Sequence, residues 1–233
     1  MLRLSVFAVS ALIALTPMAG ARAATACDGK TAKGCVAPQS TKTADERVLK
    51  SQLYLAAAKT GARGNYRRAA QQLDLVVAKF PNSPVALYTR ALAYHNLGND
   101  DFAVRDTSKA IELDPTSANS YFVRGAALQS KGDFDKALAD YGQVVSLAPD
   151  HESAYLAMGT AYFSIASYDR AVASLDKAIE INAKEPTYFL LRGLSNREAG
   201  RNDKAIADFN EVVRLDPKNE QATALLDQMQ PRT

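Results

Sequence analysis

The sequence predicts an all-α protein made of stacked helical hairpins. The first observation is a repeat: "AIELDP" at 110 to 115 returns as "VVRLDP" at 212 to 217, and similar stretches end at Pro81 and Pro149, always in steps of 34 residues. A fixed period of this size is typical of architectures in which each repeat is one supersecondary unit. The second observation is composition, since Ala is abundant and Trp is absent. Ala loses no side-chain freedom on entering a helix, so this balance favours helix over sheet.

Residues 1 to 23 have the pattern of a secretory signal peptide. A basic residue is followed by an apolar run from Leu4 to Leu15, a proline and small residues. We expect cleavage after Ala23, with Ala26 as a second candidate site. An uncleaved membrane anchor is the alternative, but an apolar run of about 12 residues is short against the roughly 20 that span a bilayer. The sequence therefore predicts an exported protein, with the periplasm as the expected location and a secreted or envelope-associated protein as the alternatives.

Export would also change the net charge. Removing residues 1 to 23 takes Arg3 and Arg22 from the 28 basic residues and leaves 26 against 25 acidic ones. Nucleic-acid binding depends on basic residues that neutralise phosphates. A nearly neutral mature chain without a basic stripe gives no support for a nucleic-acid partner, and no membrane insertion is expected after cleavage.

Cys27 and Cys35 are the only cysteines and lie just after the expected cleavage site. Disulfides persist outside the cytoplasm, so we expect a local disulfide between them. An inter-chain bridge, a redox role and lipid modification of Cys27 are the alternatives, although the spacing is not that of a CxxC motif. Residues 24 to 44 around them lack apolar periodicity and are predicted to be a flexible linker.

The solenoid is predicted to occupy residues 45 to 230. From Lys50 the chain divides without insertion into blocks of 34, and these are 50–83, 84–117, 118–151, 152–185 and 186–219. Two positions of each block hold small residues. The twentieth is always Ala, from Ala69 to Ala205, and the eighth is Ala or Gly. Small residues at both places would let two helices of one block pack closely.

Each block carries signals for helix, turn and helix. The fifteenth residue is Gly except at Ala166, and Gly after a helix can adopt the left-handed turn that ends it. The next residue is a good N-cap in the first four blocks, whereas the fifth has Arg201, so that Asn202 is expected to cap there. A Pro then follows the second helix in four of the five blocks.

These landmarks resemble the tetratricopeptide repeat (TPR) family. The third block, "YFVRGAALQSKGDFDKALADYGQVVSLAP", has the Gly, Ala, aromatic and Pro residues of the family in register. The resemblance implies a right-handed helical-hairpin solenoid of five 34-residue units. Departures occur in the first block, which is the weakest match, and in the fourth, which lacks both its Gly and its Pro. Residues 220 to 229 look like the C-terminal capping helix that covers the last apolar face of such a stack.

Arg recurs at the seventh position as Arg90, Arg124 and Arg192, and an Asp stands at the twenty-third position of the same three blocks. The two blocks that lack the Arg also lack the Asp. We therefore expect a bridge between the two helices of one repeat rather than an anion-binding row. As exposed pairs, these would contribute only about 0 to 1 kcal/mol each.

The sequence contains no pattern that indicates catalysis. His95 and His151 are the only histidines and occupy unlike positions of different blocks, whereas a metal site needs three or four convergent ligands. No Ser/His/Asp or Cys/His motif and no phosphate-binding loop is evident. We expect neither an enzyme nor a bound cofactor or metal.

The resemblance also implies where a partner would bind. In this family the first helices line a concave groove, and positions two, five, nine, twelve and thirteen of each repeat face a bound peptide. The main candidates for partner contact at these positions are Tyr88, Leu92, His95, Asn96, Asn119, Phe122, Gln129, Leu156, Phe163, Leu190, Leu194 and Arg197. The other residues at the same positions are Val85, Ala126, Ser130, Ser153, Thr160, Ser164, Thr187 and Glu198.

The groove is predicted to bind an apolar protein or peptide segment. Family members that capture an acidic peptide end use a clamp of Lys, Arg and Asn, and this chain lacks that clamp. Apolar residues at the fifth and ninth positions also pack between neighbouring helices, so Tyr88, Phe122 and Phe163 are divided between core and contact roles. The predicted function is a non-catalytic scaffold or adaptor of the cell envelope. A self-associating structural protein and a thiol redox accessory protein are the alternatives.

Overall fold

The structure, a computed structural model, describes residues 63 to 229, and this part of the chain contains ten α-helices and no strand. The predicted signal peptide, linker, disulfide and first helix of the first repeat therefore lie outside the described residues. The ten helices are α1 (Arg63–Lys79), α2 (Pro84–Asn96), α3 (Asp100–Leu113), α4 (Ala118–Ser130), α5 (Phe134–Leu147), α6 (Glu152–Ser164), α7 (Tyr168–Ile181), α8 (Pro186–Glu198), α9 (Asn202–Leu215) and α10 (Glu220–Met229).

The helices form a stack of hairpins, which confirms the predicted all-α solenoid. The pairs α2/α3, α4/α5, α6/α7 and α8/α9 are the hairpins of repeats two to five, α1 is the second helix of repeat one, and α10 packs against α9. Consecutive first helices also contact one another directly, α2 with α4, α4 with α6 and α6 with α8, whereas no pair of second helices does so to a similar extent. The first helices therefore lie on the inner side of the stack.

The predicted turns within the hairpins are confirmed in repeats two to five. Gly98, Gly132 and Gly200 have φ values of 80°, 84° and 76°, and Ala166 has a φ of 58° at the same position. In the first repeat the turn is not where the pattern placed it, because Gly64 lies inside α1.

The predicted N-caps of the second helices are wrong in one respect. Asn99, Asp133, Ser167 and Arg201 occupy the N-cap position, but none makes a side-chain capping hydrogen bond. Asn202, the expected cap of the fifth repeat, is the first residue of α9. Each of these N-cap positions directly follows a left-handed residue, so the preceding turn rather than a cap sets where the helix starts. Side-chain caps occur instead on the first helices, from Ser83, Ser117, His151 and Glu185.

Close packing inside each hairpin follows the small residues, as the pattern predicted. The alanines at position twenty are fully buried. A Cβ atom added to Gly125 would lie 2.7 Å from the Tyr141 ring, and one added to Gly193 would lie 2.6 Å from the Phe209 ring. Real Cβ atoms do not come this close to other atoms. In each of these two hairpins, Gly therefore allows the two helices to approach more closely than a residue with a Cβ would.

The C-terminal helix covers the end of the stack. Leu225 of α10 packs with Leu194 and Phe209, while Ala222 packs with Phe189 and Val212. The opposite face of α10 is polar and exposed. Terminal repeats need such a polar outer face for solubility. Among residues 63 to 229, no helix is both long enough and apolar enough to cross a membrane.

Candidate functional site

The candidate site is the groove face, which we define as positions two, five, nine, twelve and thirteen of the first helices α2, α4, α6 and α8. It lies on the inner side of the stack because these helices contact one another there. Each of them begins at a side-chain cap or a proline, so their starts are in register every 34 residues. Equivalent side chains therefore form rows along the solenoid.

Half of the main groove candidates are buried in the protein. Those with less than a tenth of their surface exposed are Leu92, His95, Phe122, Gln129, Leu156 and Leu194. Phe122 lies against Tyr141 and His151, with ring centroids 5.8 and 5.0 Å apart. These side chains hold neighbouring helices together and present little surface to a partner.

Two of the buried polar candidates bond to other groups of the protein. His95 Nδ1 lies 2.6 Å from an Asp100 carboxylate oxygen, which orients the ring at the end of α2. The Gln129 amide donates to Thr160 Oγ1 at 3.1 Å and accepts from the Tyr141 hydroxyl at 2.8 Å. Nδ1 of His95 and both the nitrogen and the oxygen of the Gln129 amide are thus engaged within the fold.

The other candidates are partly exposed: Tyr88, Asn96, Asn119, Phe163, Leu190 and Arg197. Burial raises the pKa of the Tyr88 hydroxyl to about 12, so this side chain stays neutral. Phe163 packs edge to face with Tyr168, with centroids 5.6 Å apart. The large apolar side chains of the groove face that are partly or fully exposed are therefore Val85, Tyr88, Phe163 and Leu190.

Uncharged polar groups surround these apolar side chains. Asn119, Ser130 and Ser153 are partly or fully exposed, and within residues 63 to 229 none of the three makes a side-chain hydrogen bond. Val85, half exposed at 51%, continues the row of Asn119 and Ser153 toward the N-terminus. The face thus offers free hydrogen-bonding groups beside apolar ones.

The groove face has almost no free charge. Its ionised groups on α2 to α8, other than histidine, are Arg197 and Glu198, whose side chains pair with each other at 2.9 Å. Attraction of a charged ligand from solution needs a net potential in the site. The groove face offers little net charge to attract a charged ligand.

The predicted Arg–Asp bridges are present and are more buried than expected. Arg90, Arg124 and Arg192 each make a two-nitrogen contact to the Asp sixteen residues later, at distances from 2.6 to 3.2 Å. Asp106, Asp140 and Asp208 expose 5% or less of their surface, so the expectation of exposed pairs is wrong. The arginines therefore serve the fold and not the groove.

Each of these arginines also reaches the preceding repeat, which the sequence analysis missed. Nη1 of Arg90 contacts Asp74 at 3.1 Å, that of Arg124 contacts Ser108 Oγ at 3.3 Å, and that of Arg192 contacts Asp176 at 2.6 Å. The partner is always at position twenty-five. In repeat three, position twenty-five is Gly142, and the repeat that follows has Met158 in place of the Arg. The link between repeats could therefore have been predicted from the sequence, because its two residues are again present or absent together.

The described residues contain no group of three or more His, Cys, Asp or Glu side chains placed to hold a metal ion. What the groove face provides is shape, apolar side chains and hydrogen-bonding groups. These are the properties of a surface that binds another chain.

Comparison with known proteins identifies the repeat. Models described as tetratricopeptide repeat match residues 61–118, 108–139, 128–194 and 186–219, and together they cover 61 to 219 without a gap. No curated protein sequence matches the chain significantly.

Several solved structures share the fold. MamA from Desulfovibrio magneticus RS-1 is 25% identical, with a TM-score of 0.66 over 76% of this chain and 97% of that one. TTC0263, a thermophilic TPR protein of Thermus thermophilus, is 21% identical, with a TM-score of 0.59 over 80% and 98%. YrrB, described as a TPR protein with an unusual peptide-binding site, is 16% identical, with a TM-score of 0.64 over 79% and 96%. Proteins of this fold are generally non-catalytic scaffolds for protein–protein interaction.

The repeat models, the solved structures and the geometry of the hairpins agree. Four consecutive hairpins of 34 residues, each with its close helix packing and left-handed turn, follow one another from Pro84 to Asn219. By these features the chain belongs to the tetratricopeptide repeat family.

Proposed function

We propose that this protein is a non-catalytic adaptor of the cell envelope that holds an apolar segment of a partner protein in its groove. The observation that carries the proposal is the groove face itself, where Tyr88, Phe163 and Leu190 lie among uncharged polar groups. The opposite charges of Arg197 and Glu198 on this face pair with each other. An apolar helix or extended segment would bind through a few aromatic anchors, and the free Asn and Ser groups would accept and donate hydrogen bonds at the rim.

Preformed shape is the mechanism in this proposal. Three of the four hairpins that build the groove are held by a buried Arg–Asp bridge, and the hairpins of repeats three to five are also held by close packing around a Gly. Hairpins that are rigid before binding lose little conformational entropy on binding, which favours affinity.

The test is photo-crosslinking in cells, with a reactive residue replacing Asn119 or Ser153 on the groove face. The matched control is Ala139, which is exposed on the second helix α5 of the same repeat as Asn119. We expect one discrete adduct from both groove positions and none from Ala139. Mass spectrometry of that adduct would identify the partner. Equal adducts from all three positions, or none from any, would overturn the proposal.

Two further results of that experiment are informative. An adduct between two copies of the chain would favour the self-associating alternative. For a purified partner, an affinity that changes little between low and high salt would support an apolar contact, because ion pairs at a surface are screened by salt.

The envelope location rests on residues 1 to 23 and needs a separate test. Fusing this segment to a reporter that folds only outside the cytoplasm should give an active reporter. Replacing Leu12 and Leu15 in the apolar run with Asp should abolish the activity. An active reporter with the altered segment, or an inactive one with the natural segment, would remove the envelope from the proposal.

A further inference from the structure

The four junctions between repeats are not equivalent. At three of them, Arg90, Arg124 and Arg192 tie their own repeat to the one before. At the junction between the third and fourth repeats, which we call the central junction, the corresponding residues are Met158 and Gly142. The Arg link is therefore missing at this junction alone.

A second kind of link is missing there as well. At the edge formed by the hairpin turns, Lys131 pairs with Asp101 across the second and third repeats, and Arg201 pairs with Asp169 across the fourth and fifth. At the central junction, Asp135 occupies the position of Asp101 and Asp169. The position of Lys131 is occupied by Ile165, which is 38% exposed and has no charge to pair with Asp135. No ion pair joins the third and fourth repeats in the described part of the chain.

Packing follows the same pattern. Helices α5 and α6, which meet at the central junction, contact each other less extensively than the corresponding helices of the other three junctions, and α4 contacts α6 less than the other neighbouring first helices contact each other. The fourth repeat also has Ala166 in the left-handed turn, at φ 58°. Side chains disfavour that conformation relative to the right-handed one.

Among the described residues, one hydrogen bond between two side chains crosses the central junction, from the Gln129 amide to Thr160 Oγ1 at 3.1 Å. The two residues are on the groove face, at its floor. Beneath them is a continuous apolar cluster that includes Phe122, Tyr141 and Ala157. Apolar contacts are not directional, whereas the Arg links at the other junctions fix both distance and angle.

We infer that the central junction is a hinge, about which repeats one to three and repeats four and five move as two stiffer bodies. Hinges are a few residues at the ends of elements that absorb the change in orientation. The hinge lies under the middle of the groove, so bending there alters the distance between Tyr88 on one side and Leu190 on the other. This consequence for partner binding rests on the proposed function, whereas the hinge itself does not.

The test uses pairs of spin labels at one repeat position, the twenty-second, which is exposed in every repeat: Gln71, Ala139 and Ala207. The background is the full chain with Cys27 and Cys35 replaced by Ser. The pair Gln71 and Ala139 spans two Arg-linked junctions. The pair Ala139 and Ala207 spans the same number of repeats but includes the central junction.

We expect a broader distance distribution for Ala139 and Ala207 than for Gln71 and Ala139. Restoring the link with Gly142→Asp, Met158→Arg and Ser174→Asp should narrow it to the width of the control pair. The added Asp has room, because a Cβ at Gly142 would meet no atom within 4 Å. Equal widths in the parent chain, or a broad distribution that the folded triple variant leaves unchanged, would overturn the inference.

A second variant covers the case in which the triple variant does not fold. Thr160→Val removes the hydrogen bond that crosses the junction and keeps the bond between Gln129 and Tyr141. It should widen the Ala139 and Ala207 distribution while leaving the control pair unchanged. No widening would overturn the hinge. The measurement needs no partner, so equal widths together with a specific groove adduct would reject the hinge and keep the proposed function.

Discussion

At the residue scale, the two helices of each hairpin meet at one contact where the sizes of the two facing residues are matched. Gly at position eight faces a large residue at position twenty-four: Gly125 with Tyr141, Gly159 with Leu175 and Gly193 with Phe209. The second repeat has a larger residue at position eight, Ala91, and a smaller one at position twenty-four, Thr107, and both are buried. The volume of the pair, and not either residue alone, is what the contact requires.

Gly159→Ala should therefore destabilise the protein, because its Cβ would lie 2.7 Å from Leu175 Cγ. Overpacking of this kind costs typically about 1 to 3 kcal/mol. Adding Leu175→Thr, which copies the Ala91 and Thr107 pair, should recover part of the loss. Urea unfolding of both single variants and the double variant measures the coupling. Strict additivity would contradict the size matching.

The protonation of His151 makes the stability of the fold depend on pH. Its Nδ1 accepts a hydrogen bond from the Ala154 N–H at 3.2 Å, which caps α6, and its ring lies on Phe122. Burial lowers the pKa of His151 below its ordinary 6.5, against the weaker opposing effect of Asp150 and Glu152. The folded protein thus holds this imidazole neutral where the unfolded chain would take up a proton.

We expect the free energy of unfolding to fall as the pH drops below 6.5 and toward the lowered pKa of His151, because only the unfolded chain binds the proton in that window. His151→Ser should remove this part of the pH dependence and keep a cap, as Ser83 and Ser117 do. Chemical unfolding across this range checks it. His95 is present in both proteins, so the same slope in both would show that His151 is not the cause.

At the element scale, the Arg–Asp bridges connect three helices at a time. Arg124 joins α4 to Asp140 on α5 and to Ser108 on α3. The fourth repeat forms the same hairpin without a bridge, because Met158 replaces the Arg at position seven and Ser174 replaces the Asp at position twenty-three. A buried pair of charges contributes less than the loss of one partner would suggest.

Arg124→Met should cost about 3 to 5 kcal/mol, because it leaves the carboxylate of Asp140 buried without its partner. The double variant Arg124→Met with Asp140→Ser, which reproduces the fourth repeat, should lose much less. Thermal and urea unfolding of the two variants compare them directly. A double variant that is as unstable as the single one would show that the link to the preceding repeat, and not the burial of Asp140, dominates.

At the scale of the whole molecule, the stack depends on its ends because each repeat contacts only its neighbours. The last hairpin buries Phe209 and Val212 completely, and α10 supplies contacts to both. In a linear array of this kind, loosening an end exposes the apolar face of the adjoining repeat first.

Leu225→Asp should therefore unfold the C-terminal end preferentially. Loss of the buried Leu alone costs about 2 to 5 kcal/mol, before the unpaired carboxylate is counted. The neighbouring Ala224 is exposed, so Ala224→Asp is the matched control and should change stability little. Hydrogen exchange should show lost protection in α9 and α10 and retained protection in α2 and α3. Uniform loss along the chain would mean that the solenoid unfolds as one unit.

The repeat, the helical class and the hairpin turns of repeats two to five could be predicted from the sequence alone. The reason is that these depend on local signals at a fixed spacing: the small residues from Ala69 to Ala205, the Gly turns and the prolines after the second helices. The pairing of Arg with Asp was readable too, because both residues appear and disappear together from one repeat to the next. The turn predicted at Gly64 was wrong because a Gly is a local signal for a turn, whereas in the structure Gly64 lies in helix α1.

The roles of the groove residues depend on contacts that form only in the folded stack. Spacing assigns Phe122 and Phe163 to the same face, but burial depends on the neighbouring repeats, which cover Phe122 and leave Phe163 partly exposed. The burial of the Arg–Asp bridges was likewise decided by the packing of the helices, and the second helices start after a left-handed turn without a side-chain cap. The central junction stands out for the same reason: its missing residues can be read in the chain, but their consequence appears only when the contacts across all four junctions are compared.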